Sequence, residues 1–189
     1  MRAAAQSSAG HLPAIPRSGA WLSLQPAGET ELFTIAALAE RIWWQVYPPI
    51  IGASQVHYML GRGYSLPALR QALDQGTRFA LLRLGGLSVG FSAWRPAAGE
   101  GFIDKLYLLP ALHGRGLGQW LIAATCRRIA AAGHDVVWLR VNRHNVAAIR
   151  AYRRAGFEIT ASDCLPIGDG FVMDDYLMRR VGIRASLLN

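Results

Sequence analysis

Between Glu29 and Tyr47 the apolar residues Leu32, Ile35, Ala36, Ala39 and Trp43 recur near helical spacing. They form one face of an amphipathic helix, and Pro48–Pro49 reads as its stop, because proline cannot donate to the helical ladder. Two shorter helices follow, Ser54–Gly63 with Ser54 as its cap and Ser65–Gly76 ended by Gly76. The period then changes. Thr77–Pro96 reads as two strands around a Gly85–Gly86 hairpin turn, and Gly101–Pro110 as a further strand. Upstream, Trp21–Ala27 is a short strand closed by Pro26. Downstream come a glycine-rich loop, a helix to Ala132 stopped by Gly133, a strand over Asp135–Asn142, and a helix from an Asn145 cap to Ala155. Phe157–Asp163 and Phe171–Arg180 are the last strands, with Cys164 in the loop between them. The order β-ααα-βββ-α-β-α-ββ predicts a mixed α/β (α+β) fold in one domain over 21–189. Residues 1–20 are rich in Ala, Ser, Gly and Pro without a periodic apolar face, and read as a flexible tail.

The loop at the centre, "ALHGRGLGQWLI" (Ala111–Ile122), carries the first chemistry. Gly114, Gly116 and Gly118 alternate with other residues just where a helix begins. Glycine lets bare backbone approach a neighbour, and a helix start offers unpaired N–H groups with a partial positive charge. Together they suit a phosphate, and Arg115 adds a charge-assisted partner. The dinucleotide fingerprint is excluded, since Gln119 stands where its third glycine belongs, and no P-loop run exists. About thirty residues on, Asn145, Ala148, Ile149 and Tyr152 fall at i, i+3, i+4 and i+7, on one helix face.

These two stretches resemble the signatures of the GCN5-related N-acetyltransferase (GNAT) family. The family's Gln/Arg-x-x-Gly-x-Gly/Ala pattern is matched by His113-Gly114-Arg115-Gly116-Leu117-Gly118, with His113 as a departure at the first position. Its second pattern is matched by Asn145, Ala148, Tyr152, Gly156 and Phe157. The likeness spans about Trp21 to Arg180. It implies a central, mostly antiparallel twisted sheet of about seven strands, splayed at an acetyl-CoA site, with helices on both faces. It also implies that Leu106, Tyr107 and Leu108 lie along the pantetheine arm, with an N–H near Leu106 facing the thioester oxygen. His113 and the backbone from Gly114 through Arg115, Gly116, Leu117 and Gly118 to Gln119 would take the pyrophosphate. Asn145 and Ala148 would contact the pantetheine, and Arg150, Arg153 and Arg154 are candidates for the 3′-phosphate. Tyr152 is the implied general acid toward the departing thiolate. For the base, Asp104 lies two residues before Leu106, with Glu40, Asp174, Asp175 and Tyr176 as alternatives. A narrower likeness, carried by Ile42–Leu60 and Ile167–Met178, is to the PaiA-type branch, which implies polyamine acetylation.

Composition bounds this reading. With 189 residues, 52% of them apolar, the chain can bury a real core. No run approaches the ~20 apolar residues of a membrane span, and the start lacks an apolar leader core. A cytoplasmic protein without membrane association is expected. Cys126 and Cys164 have no metal-ligand spacing and no histidine arrangement for covalent catalysis, so neither a metal nor an acyl-cysteine is expected. The net charge of +8 concentrates as arginines over 127–154, but no nucleic-acid-binding signature accompanies it. Glu158–Asp175 is acidic and would draw a polycation. The expected activity is direct transfer of an acetyl group from acetyl-CoA to a primary amine, a polyamine or another small cationic amine. Acetylation of a protein N-terminus or lysine, and non-catalytic acyl-CoA sensing, stand as alternatives. The sequence leaves monomer and homodimer open.

Overall fold

In the computed structural model, residues 21–187 are described, and the expected tail over 1–20 lies outside them. An edge strand β1 (Leu22–Ala27) leads through a 3₁₀ turn into four helices: α1 (Leu32–Val46), α2 (Pro48–Ile51), α3 (Ala53–Tyr64) and α4 (Leu66–Asp74). Three antiparallel strands follow, β2 (Arg78–Leu84), β3 (Leu87–Ala97) and β4 (Glu100–Leu108). Then come α5 (Leu117–Ala131), β5 (Val136–Asn142), α6 (Val146–Arg154) and the long hairpin of β6 (Glu158–Gly168) and β7 (Phe171–Val181). The seven strands form one sheet in the order β1-β2-β3-β4-β5-β7-β6. Every neighbouring pair is antiparallel except β4 and β5.

Four local expectations are corrected. The proline pair ends α1 but also occupies the first positions of α2, where a missing N–H costs nothing. Tyr47 is the pivot between the two helices. Ser54 lies inside α3, whose start is Gly52 at φ 80°, so it is not the cap. Pro26 sits within β1 opposite Ala80, which an edge strand tolerates. The strand expected to end at Asp163 continues to Gly168, so Cys164 is a strand residue opposite Asp174. Edge strand β6 is exposed along most of its length and therefore lacks the apolar alternation that marks a strand in sequence.

Helices cover both faces of the sheet and bury two apolar clusters. The larger joins α1, α3 and α4 to β2 and β3 through Ile35, Trp43, Val56, Leu69, Leu81 and Phe91. The smaller joins α5 and α6 to β5 and β7 through Ile122, Ile129, Leu139, Ile149 and Met178. Helix α5 feeds both, and Leu106 of β4 touches both. The clusters meet at Leu106, near the C-terminal end of β4, where β3 runs so close that a Cβ on Gly90 would lie 2.5 Å from the Tyr107 carbonyl oxygen. Backbone cannot yield there as a side chain would. Gly90→Ala should therefore destabilise the fold by about 1–3 kcal/mol, seen as a melting temperature several degrees lower.

Candidate active site

The pairing between β4 and β5 covers only Gly101↔Val137, Phe102↔Trp138 and Ile103↔Leu139. Beyond it the strands part. The ladder from β3 to β4 steps from Ala93↔Lys105 to Trp94↔Ile103, which leaves Asp104 as the extra residue of a β-bulge. A bulge bends its strand and raises local twist, here at the point where β4 leaves β5. The Leu109 N–H bonds the Val89 carbonyl at 2.9 Å, on the β3 side. Alternation along the extended chain then turns the Leu106 and Leu108 backbone toward the gap. Consistent with this, the Leu108 carbonyl accepts from His113 Nε2 at 3.1 Å. His113 thus lies on the wall of the gap and ties the loop to the end of β4. The gap opens into a cavity of about 840 Å³ walled by α1, α3, β4, β5, α5, α6 and β7.

At one end stands the glycine loop. Gly114 and Gly116 have φ of 76° and 79°, a region that favours glycine. Gly116 opens α5 with no side-chain cap and no acid in the first turn, so the N–H groups of Leu117, Gly118 and Gln119 face outward unpaired. Gly118 is already helical, where glycine costs about 1 kcal/mol relative to alanine. A Cβ at 114, 116 or 118 would meet no protein atom within 4 Å. Packing does not require these glycines, and the space they leave fits an anion held on backbone N–H groups. Leu117 packs its side chain into the core and Arg115 is exposed off the cavity wall. Gln119 Nε2 bonds the Ala151 carbonyl at 2.8 Å and fixes α5 against α6.

Helix α6 forms the second wall. Asn145 caps it by accepting from the Ala148 N–H at 3.1 Å, and is itself buried. Tyr152 lies two turns on, with its ring edge-on to Phe157 at 5.7 Å. Burial pushes its pKa up, with the hydroxyl of Tyr47 and the thiol of Cys126 adding to the rise. Tyr152 therefore keeps its proton through the neutral range. Arg154 lies on the wall, whereas Arg150 and Arg153 are exposed away from it.

The other end is aromatic. Trp43 stacks on Tyr47 at 4.3 Å between ring centroids, and the Tyr64 hydroxyl donates to the Tyr107 hydroxyl at 2.8 Å. Burial raises the pKa of both Tyr64 and Tyr107 well above the usual phenol value. Burial also raises Tyr47, an effect partly offset by the side chains of Tyr107 and Asn145. Two carboxylates reach this wall. Asp104 pairs with Lys105 at 2.5 Å, and that ammonium lies 5.0 Å from the centre of the Tyr64 ring. Asp175 of β7 is only 4% exposed. Burial raises its pKa, against the opposing pull of Arg140, which lies 3.4 Å away and also bridges to Asp163. Of the other base candidates, Glu40 is exposed and off the wall, Asp174 pairs with Arg143 at 2.7 Å, and Tyr176 lies beneath that same guanidinium. Cys126 is buried with its thiol pushed up to about 11 by desolvation, which leaves it a poor nucleophile. Among the described residues no group of His, Cys, Asp and Glu could hold a metal, and no helix is long and apolar enough to cross a membrane.

Sequence reasoning missed Tyr47, Tyr64 and Lys105. Tyr47 stands directly before the proline pair, and Lys105 is the single lysine of the chain. Neither feature signals a site without the fold.

A profile described as the acetyltransferase (GNAT) family matches residues 36–157. The chain is 29% identical over 153 residues to Uncharacterized N-acetyltransferase Rv2669 of Mycobacterium tuberculosis, covering 80% of this chain and 97% of that one. In structure it is similar to PaiA N-acetyltransferase from Thermoplasma acidophilum in complex with coenzyme A. That likeness has a TM-score of 0.73 at 19% identity and covers 85% of this chain and 98% of that one. It is also similar to the ribosomal-protein-S18-alanine N-acetyltransferase of Escherichia coli, with a TM-score of 0.66 at 18% identity and coverage of 85% and 94%.

The glycine loop separates stability from binding. Gly118→Ala should raise stability by about 0.5–1 kcal/mol, because the helix gains propensity and the methyl meets no protein atom. The same methyl fills the open space beside the unpaired N–H groups, so if an anion of coenzyme A sits there its affinity by calorimetry should fall about tenfold or more while the melting temperature rises.

Proposed function

We propose that this chain, which belongs to the acetyltransferase (GNAT) family and takes acetyl-CoA as its acyl donor, transfers the acetyl group directly to a small primary amine. The observation that carries this reading is the parting of β4 from β5 beside an uncapped, glycine-lined helix start, with Tyr152 on the wall of the gap. The free edge of β4 over Leu106, Tyr107 and Leu108 suits an amide-bearing arm laid along it like an added strand. The N–H groups from Gly114 to Gln119 suit the pyrophosphate, with Arg115, His113 and Arg154 nearby. Asn145 and Ala148 face the arm from α6. Bound there, acetyl-CoA supplies the thioester whose acyl carbon the amine attacks.

The proton moves are assigned to this chain's own groups. As the carbon–nitrogen bond forms and the carbon–sulfur bond breaks, the nitrogen must lose a proton and the sulfur must gain one. Tyr152, held protonated by burial, gives its proton to sulfur. Asp175 is the favoured acceptor of the amine proton, since desolvation raises its proton affinity. Asp104 is the second candidate, with its carboxylate engaged by Lys105. After transfer Tyr152 is one proton short and the base holds one more than it began with, and both reset by exchange with water. The buried thiol of Cys126 argues against an acyl-enzyme and for transfer within a ternary complex. An N–H near Leu106 would stabilise the charge that grows on the thioester oxygen.

Thiol release from acetyl-CoA across a panel of primary amines tests the activity; tight coenzyme A binding with no turnover on any amine would favour the sensing alternative. Tyr152→Phe keeps the ring and removes the acid. Its kcat should fall roughly 10–100-fold with acetyl-CoA affinity nearly unchanged, and the deficit should narrow above about pH 8.5, where a thiolate leaves unaided. Equal kcat values from pH 6 to 9 would remove Tyr152 from the mechanism.

The pH profile tests the base. A base works only when ionised, so kcat should rise with pH through the elevated Asp175 pKa and then level off. The raised Tyr152 pKa predicts no falling limb from that residue below pH 9. Asp175→Asn should lower kcat by about 10²-fold or more and abolish the rising limb, whereas Asp104→Asn should preserve it. The opposite pattern would transfer the role to Asp104.

A further inference from the structure

The cavity wall carries two carboxylates, Asp104 and Asp175, against three cations, Lys105, Arg140 and Arg154. Neither carboxylate is free. Lys105 Nζ lies 2.5 Å from Asp104, and Arg140 lies 3.4 Å from Asp175. The Lys105 side chain is only 11% exposed, and its ammonium also lies 5.0 Å from the Tyr64 ring centre. A carboxylate beside an aromatic face is what a ligand ammonium seeks. Here the protein's own lysine fills that place. Within the acidic stretch that would draw a polycation, Asp163 pairs with Arg140 and Asp174 with Arg143, and Glu158 and Asp169 lie off the cavity wall. What is left to the acceptor is uncharged surface, mostly apolar and aromatic, from Trp43, Tyr47, Ile51, Met59 and Met173, with Gln45 and Gln55 beside them.

Resting on the N-acetyltransferase reading above, we infer that the acceptor is a primary amine with an apolar or aromatic body and no second cation, and that Lys105 is the residue that excludes polycations. A second ammonium reaching Asp104 would sit within a few ångströms of the Lys105 ammonium in a partly desolvated site. Repulsion at that range costs about tenfold or more in binding. Replacing Lys105 with an uncharged side chain of similar length frees Asp104 and the Tyr64 face together.

The test compares phenethylamine with spermidine as acceptors for the wild type, Lys105→Met and Lys105→Arg. The readout is the ratio of their kcat/KM values by thiol release, with melting temperature as the fold control. The wild type should favour phenethylamine at least tenfold. Lys105→Met should shift the ratio toward spermidine by tenfold or more, and Lys105→Arg, which keeps the cation, should hold it near the wild-type value. A wild-type preference for spermidine, or an unmoved ratio in Lys105→Met, would overturn the inference. Calorimetric titration of both amines into the wild-type protein saturated with coenzyme A separates this from the activity itself. Binding of phenethylamine alone, without turnover, would sink the transferase reading and uphold the specificity inference. Spermidine binding as tightly as phenethylamine, or neither amine binding, would overturn it.

Discussion

Three residue pairs join β4 to β5, and the site depends on the ladder stopping there. If the pairing continued past Ile103 in the same register, the edges of Asp104–Leu106 and Arg140–Asn142 would satisfy one another and no gap would form. The bulge at Asp104 bends β4 at the point of parting. It leaves polar backbone open to a ligand at the centre of a sheet, where unpaired groups are otherwise costly. Around that opening the remaining features fall into place: the uncapped start of α5 at one end, α6 along the side, and the aromatic residues of α1 and α3 at the other.

The two ends of the cavity differ in what they offer. The glycine loop presents backbone donors and open space, and suits any ligand with a pyrophosphate. The aromatic end presents rings and methyl-rich side chains whose few charges are already paired within the protein. Tyr47 lies between them. Its hydroxyl acts electrostatically on both Tyr107 and Tyr152, and Asp175 acts on it in turn. The break between α1 and α2 puts this phenol there, because the proline pair restarts the helix one residue later. Arg140 performs a comparable task on the other side. From β5 it reaches Asp175 of β7 and Asp163 of β6, tying three strands together below the opening. A buried carboxylate such as Asp175 is tolerable only with such a partner.

Much of the site was legible along the chain, since its signals are local. Alternating glycines before a helical pattern announce a helix start with open backbone, which the uncapped start of α5 has, and Asn145 and Tyr152 share a helix face by spacing alone. The family resemblance placed Leu106–Leu108 on a free strand edge, and the parting of β4 from β5 agrees with it. The expected pull of the acidic C-terminal stretch on a polycation is weakened in the fold. Its aspartates at 163, 174 and 175 meet arginines 23 to 35 positions away, pairs that only strand register brings together.

The order of the elements apart from the short helix α2, most of their boundaries, the glycine loop at the start of α5 and the shared face of Asn145 and Tyr152 were thus determined by sequence. Each rests on periodicity or on the backbone demands of single residues. Tertiary structure alone decided that β4 parts from β5 after Ile103, because a bulge is a mismatch between two strands and not a property of one. It also decided that Lys105 fills the aromatic corner, since Tyr64 lies 41 positions away by number and 5.0 Å away by fold. And it decided that Asp175, which the sequence offered only as an alternative to Asp104, is the carboxylate buried at the wall. Burial and charge partners set proton affinity, and both are made by neighbours that the linear chain does not name.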